Sequence, residues 1–235
     1  MAVTGTVKII IRRSLSDPES PGWEESYTIP ATERMTALQV LQYIYEKFDP
    51  TLGFEYSCRY GKCGLCGIGI DMKPRLACTA FLKAGTTVLA PLQNLPVIRD
   101  LIIDREPLQK LLHDEKIFFG SDIIKEKPFE LRKHDKNSFA PLQVPPELSY
   151  LLRCHECLCC HAACPGFERE KKDFTSFAGP FVFVKLAQLM HDPRDSADRR
   201  TQALNLGIKQ CADCRRCYCP QGIPIYRTAI RPLLG

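Results

Sequence analysis

The thirteen cysteines among 235 residues constrain this chain more than any other feature, because they are grouped rather than scattered. One group is Cys58, Cys63, Cys66 and Cys78. A second is Cys154, Cys157, Cys159, Cys160 and Cys164, with Pro165 following. A third is Cys211, Cys214, Cys217 and Cys219, with Pro220 following. The number is odd, the spacing is C-x-x-C, and the start Met1-Ala-Val-Thr-Gly-Thr carries no basic-then-apolar export signal. Secreted disulfide scaffolds are usually shorter and carry such a signal, so ligation is favoured over disulfides. Structural zinc sites usually show cysteine pairs separated by long spacers. A tight C-x2-C-x2-C-x3-C-P run instead suits cubane iron–sulfur clusters, and its fourth cysteine serves the other of two clusters. Residues 154–165 form such a run, and the 211–219 group supplies the second half it needs.

The upstream group has different chemistry. Cys58, Cys63 and Cys66 are spaced C-x4-C-x2-C and Cys78 completes the set, which is 2Fe–2S spacing. Gly61, Gly64 and Gly67 permit the tight backbone turns and close approach that a loop around an inorganic core needs. Twelve ligands then fill three clusters. Cys58, Cys63, Cys66 and Cys78 are assigned to a 2Fe–2S cluster. Cys154, Cys157, Cys160 and Cys219 are assigned to a 4Fe–4S cluster, and Cys164, Cys211, Cys214 and Cys217 to a second 4Fe–4S cluster, or to a 3Fe–4S cluster if Cys214 does not ligate. Cys159 is left over as a small apolar packing residue. His155 and His161 lie inside the cubane run. They are read as N–H or cationic stabilisers, or as solvent-facing residues, ahead of ligands. Arg215 and Arg216 are read as a solvated pair, with cluster tuning or an acidic partner as the alternative.

Hydrophobic periodicity places these groups on elements. Val7, Ile9 and Ile11 alternate, predicting a strand over residues 6–12. A turn over Ser16–Gly22 leads to a second strand with Trp23, Tyr27 and Ile29 on it, the hairpin partner of the first. Thr36 and Gln39 form a capping box ahead of Leu38, Leu41, Ile44 and Phe48, a helix that Asp49-Pro50 ends. Short strands are expected at 68–70, 75–79 and 86–89. Residues 101–116 are expected to be helical, and 126–144 extended on the surface. The charges of 104–150 read as a solvated face with no catalytic signature. A short helix over 147–152 feeds Cys154, and Phe181–His191 is a helix-length apolar run. Asp192–Asp195 is a turn from which Asp195 caps a helix reaching Leu206. Residues 223–234 form a last helix or tail.

The order of a 2Fe–2S unit and then a C-x2-C-x-C-C-x3-C-P unit resembles the iron–sulfur subunit of succinate dehydrogenases and fumarate reductases. Ser57-Cys-Arg-Tyr-Gly-Lys-Cys-Gly, Val97-Ile-Arg-Asp100, Ala178-Gly-Pro180 and Asp192-Pro-Arg-Asp195 match that family beyond the cysteines, and Cys159 has its counterpart there. The resemblance implies an α+β chain. Residues 1–103 would form an N-terminal β-grasp ferredoxin domain, 104–145 a connecting segment, and 146–235 an α-helical two-cubane ferredoxin-like domain. It implies electron transfer between a FAD-containing subunit, docked near the 2Fe–2S cluster, and a membrane anchor or other acceptor subunit. The substrate-converting site would lie on another chain. The chain is expected in the cytoplasm, held at the inner face of the membrane through partners.

Three departures from the family pattern stand out. Cys214 occupies a position that normally lacks cysteine, which favours four irons over three in the third cluster. Only Tyr218 separates Cys217 from Cys219, where three residues are usual. The Trp after the Cys-Pro and the His after the first late cysteine are replaced by Gly166-Phe-Glu and Ala212, so no quinone site is carried over. The partner flavoprotein is then open to an acyl-CoA-, thiol- or hydroxyacid-linked alternative. The net charge of +5 is mild, no run of 18 apolar residues crosses a bilayer, and aromatic and basic residues are not interleaved as a nucleic-acid platform requires. A zinc-stabilised nucleic-acid-binding protein is therefore the weakest reading.

Overall fold

The alternation of the first segment produces a long strand. In the computed structural model, β1 (Val3–Arg13) pairs antiparallel with β2 (Trp23–Thr32), setting Val7 opposite Ile29 and Ile9 opposite Tyr27. The structure describes residues 3–15, 22–32, 34–119, 144–169, 174–192 and 195–235. The expected turn at 16–22 and the extended segment at 126–144 lie outside these, apart from Gly22 and Val144. Beyond the hairpin, β3 (Gly67–Ile70), β4 (Lys73–Leu76) and β5 (Thr86–Ala90) complete a five-stranded sheet of order β2-β1-β5-β3-β4, with β1 and β5 parallel. Helix α1 (Ala37–Lys47) starts at the expected capping box. It buries Leu38, Leu41 and Ile44 in one hydrophobic cluster with Val7, Ile9 and Ile11. The expected strand at 75–79 lies earlier, because Ala77–Thr79 turn to bring Cys78 back towards the cysteine loop. Phe48 ends α1 half exposed, packed by its edge on Tyr27 rather than in the core.

The connecting segment departs from the expected helix over 101–116. Residues Val97–Arg99 (β6) and Ile102–Ile103 (β7) form a small hairpin, and only Glu106–Asp114 (α2) is helical. The hairpin's Asp100 explains this. It is fully buried and accepts from Arg13 Nε and Nη2 at 2.8 and 3.0 Å and from Gly53 N at 2.7 Å. A buried carboxylate needs such partners, and these hold the 100–103 backbone away from helix.

The remainder is helical. Short helices α3 (Pro146–Leu151), α4 (Cys159–Ala162) and α5 (Gly166–Arg169) surround the cysteine run, followed by α6 (Gly179–Met190) and α7 (Arg199–Asn205). Helix α6 is apolar on nearly every side, with Phe181, Val182, Phe183 and Val184 all buried, and it packs against α3, α4, α7 and the terminal helices. The cap of α7 is Asp198, whose side chain accepts from Thr201 N. Asp195, expected in that role, instead pairs with the buried Arg199 at 2.7 Å. Arg199 also donates to Phe118 O at 2.6 Å, tying the connecting segment to this half. The tail is a π-helical turn, Tyr226–Ile230, running into α8 (Arg231–Leu234). One continuous hydrophobic cluster runs through both halves. Among the described residues, no helix is long and apolar enough to cross a membrane.

Candidate metal centres

The loop between α1 and β3 wraps its own cysteines. Residues Arg59, Gly61 and Gly64 adopt positive φ, which turns successive N–H groups inward. Lys62 N and Cys63 N both donate to Cys58 Sγ at 3.2 Å, and Gly61 N donates to Cys78 Sγ at 3.2 Å. Cys66 Sγ lies 3.3 Å from Cys78 Sγ. The N–H of Tyr60, followed by those of Lys62 and Cys63, draws the Cys58 thiol down to about 6. Burial pushes the Cys66 thiol up to about 12, and the nearby Cys63 and Cys78 charges add to the rise. Donors aimed at sulfur, and thiolates crowded beside one another, are what an anionic thiolate-ligated cluster requires.

The later cysteines come together in two sets. Burial raises the Cys160 thiol, and the charges of Cys157, Cys154 and Cys219 oppose its ionisation. Burial raises Cys211 to about 12, and the charges of Cys217, Cys164 and Cys214 raise it further; burial raises Cys217 to about 11, and the charges of Cys164 and Cys214 add to the rise. The short Cys217-Tyr-Cys219 spacing thus sends its two thiols to different neighbourhoods. A cavity is lined by Cys160, Cys164, Cys211, Cys214 and Cys217, with Pro165, Pro180 and Arg216. Desolvated thiolates in such crowds repel one another, and a positively charged core among them removes the penalty. The donor set therefore fits iron–sulfur clusters.

Cys159 is fully buried, and its hydrogen bond to Cys157 and its burial raise its thiol strongly. His155 turns its Nδ1 to the Lys62 carbonyl of the first loop. His161 does not face solvent. It is fully buried, its ring centroid lies 4.2 Å from that of Phe167, and burial pulls its pKa down to about 3. Neither ring nitrogen finds a partner among the described residues. Arg215 and Arg216 are exposed, but they are not equivalent. Arg215 lies over the Tyr226 ring at 5.5 Å, and Arg216 lines the cysteine cavity.

The two cysteine-bearing halves meet at their loops. Gln221 Nε2 donates to Gly61 O at 2.9 Å, and Asn94 Nδ2 donates to Ala162 O at 3.1 Å. These residues carried no sequence signal, because an isolated Gln or Asn on a loop reads as solvated.

Comparison with known proteins agrees with this chemistry. Residues 7–110 match the family model for a 2Fe-2S iron-sulfur cluster binding domain. The chain is 32% identical over 231 residues to the fumarate reductase iron-sulfur subunit of Wolinella succinogenes, covering 92% of each. This chain belongs to the iron–sulfur subunit family of fumarate reductases and succinate dehydrogenases. The family includes longer proteins. The chain is 31% identical to a subunit of the fumarate reductase (CoM/CoB) of Methanothermobacter marburgensis, covering 89% of this chain and 40% of that one. It spans about two fifths of the length of the methanogen relatives it matches. A solved structure titled "Mycobacterium smegmatis Sdh1 complex in the apo form" shares the fold, with a TM-score of 0.78 at 23% identity over 98% of this chain and 94% of that one. The fold is accordingly α+β with an N-terminal ferredoxin-like domain, and iron–sulfur clusters are its cofactors.

Proposed function

We propose that this chain is the electron-relay subunit of a fumarate reductase- or succinate dehydrogenase-like complex, passing single electrons between a FAD-containing subunit and a membrane-side or other acceptor. Residues 1–103 form the 2Fe–2S domain, with Cys58, Cys63, Cys66 and Cys78 as ligands. Residues 104–145 connect it to the two-cubane domain of 146–235. There Cys154, Cys157, Cys160 and Cys219 hold one 4Fe–4S cluster, and Cys164, Cys211, Cys214 and Cys217 hold the second. The observation that carries this reading is the gathering of cysteines: Cys160, Cys164, Cys211, Cys214 and Cys217 line one cavity, and the N–H groups of the first loop point at Cys58 and Cys78. When bound, the clusters supply the one-electron carriers. The chain's own residues place them in series, aim N–H groups at thiolate sulfur, and exclude water. No helix among the described residues crosses a membrane, so attachment at the inner face of the cytoplasmic membrane is assigned to partner subunits.

Iron analysis of anaerobically purified protein tests the assignment. Full occupancy by these ligands gives about ten irons per chain. Cys214→Ser is expected to lower the count by about one and to introduce the oxidised-state paramagnetic signal of a 3Fe–4S cluster. A wild-type protein that already shows that signal and about nine irons would remove Cys214 from the ligand set.

The similarity to a fumarate reductase whose name carries CoM and CoB supports a second reading of the partner, as a flavoprotein linked to thiols. The substitutions at Gly166–Glu168 and Ala212 support it too. Identifying the flavoprotein that co-purifies separates the two readings, and silence of the clusters towards succinate and fumarate would favour the second.

A further inference from the structure

Arg105 stands in the charged connecting segment, at the join of β7 and α2. The segment's charges read as a solvated face, but this side chain is folded inward and only 20% exposed. Nη1 donates to Glu156 O at 3.2 Å and Nη2 to Leu65 O at 3.5 Å. Leu65 lies between Cys63 and Cys66, and Glu156 lies between Cys154 and Cys157. One cation thus bridges the backbones of both cysteine loops. Its Nη2 also pairs with the Glu55 carboxylate at 3.8 Å, while its Nε is buried with no acceptor among the described residues.

Around this bridge the loops touch backbone to backbone. A Cβ on Gly67 would meet Cys157 O at 2.7 Å. A Cβ on Gly64 would meet the His155 carbonyl carbon at 3.0 Å and Cys157 N at 3.1 Å, with the carbonyl oxygen nearer still. Neither position has room for a side chain.

We propose that Arg105 is the positioning residue for electron crossing between the first two cluster sites. Its fork holds the Cys63–Cys66 and Cys154–Cys157 loops in contact, and its charge favours the reduced state on both sides. The crossing moves one electron: one site is oxidised, the other reduced, and no bond or proton moves. The proposal rests on the cluster assignment above. A planar, permanently charged guanidinium bridges two carbonyls in a fixed geometry, whereas an ammonium supplies the charge alone. At an effective dielectric of about 20, a unit charge within about 10 Å shifts a one-electron equilibrium on the order of tenfold.

The test is a redox titration of the full chain, followed by electron paramagnetic resonance, with iron content measured alongside. Arg105→Met and Arg105→Gln are expected to shift the reduction equilibria of the 2Fe–2S cluster and the first cubane about tenfold towards the oxidised state, 59 mV for a one-electron couple. Iron content is expected to be unchanged. Arg105→Lys is expected to stay within about threefold of wild type, because the charge remains. If Arg105→Met alone fails to hold iron, Arg105→Gln carries the comparison. Neutral variants within about twofold of wild type would overturn the proposal, and so would a lysine variant displaced as far as the neutral ones. Loss of iron from all three would also overturn it, since Arg105 would then be a folding residue. A colourless, iron-free wild type is a different failure, because it removes the clusters themselves.

Discussion

Adding one methyl group at Gly64 probes the contact between the two cysteine loops directly. Gly64 sits at φ 76°, where an L residue pays on the order of 1 kcal/mol. Its new Cβ would meet three backbone atoms of the facing loop: His155 O, His155 C at 3.0 Å and Cys157 N at 3.1 Å. Backbone atoms cannot swing aside as a side-chain tip can, so the loops must separate by roughly 1 Å. Overpacking of this kind costs about 1–3 kcal/mol. The separation also strains bonds across the junction, among them Arg105 to Glu156 O and Gln221 to Gly61 O, each worth about 1 kcal/mol. Gly64→Ala is therefore expected to destabilise the protein by about 3–5 kcal/mol, and for a chain of this size each kcal/mol lowers the melting temperature by about 2–4 °C. Gly85→Ala is the control. Gly85 also has positive φ, 106°, but a Cβ there meets nothing within 4 Å. Anaerobic thermal scans at a fixed rate, following cluster absorbance and far-ultraviolet dichroism, compare the two. A melting temperature for Gly64→Ala within about 2 °C of the Gly85→Ala value would refute the contact argument.

Two further expectations concern the surrounding framework. Asp100→Asn breaks a pair in which Asp100 is fully buried and the Arg13 side chain only 5% exposed, so a loss of about 3–5 kcal/mol is expected in denaturant unfolding. The double variant Arg13→Met/Asp100→Leu should recover part of that loss. The remainder reflects the Gly53 N–H left without its acceptor, and a single-variant loss below about 1 kcal/mol would contradict the accounting. Cys159→Ala is expected to keep the full iron content and to cost about 1–2 kcal/mol for a small cavity. Iron loss in that variant would show the thirteenth cysteine to be a ligand.

Much of the fold was legible because its signals are local. The alternation of Val7, Ile9 and Ile11, and the Thr36/Gln39 box, act over a few residues, and the structure realises both. Misreadings arose where a distant partner decided the outcome. The β6–β7 hairpin replaces expected helix because Asp100 answers to Arg13, 87 residues earlier. A nearer partner moves the cap of α7 to Asp198, because Asp195 is committed to Arg199 four residues on. Of the readings for His161, as an N–H or cationic stabiliser or a solvent-facing residue, the last fails: it is sealed among Phe167 and Phe174, which only the packing of α5 and its neighbours could place there.

The sequence by itself determined the chemistry of the sites. Ligand type and short-range spacing are written along the chain, so a C-x4-C-x2-C loop and a C-x2-C-x2-C-x3-C-P run can be read without a fold. Tertiary structure decided that Cys160, Cys164, Cys211, Cys214 and Cys217, far apart along the chain, line one cavity. It also decided that the two cysteine loops touch, under a clamp from Arg105. The reason is physical. Spacing along a chain sets which side chains can converge within one turn or loop. Convergence across 40 to 160 residues is set by how the sheet, the connecting segment and the helices bury their shared core.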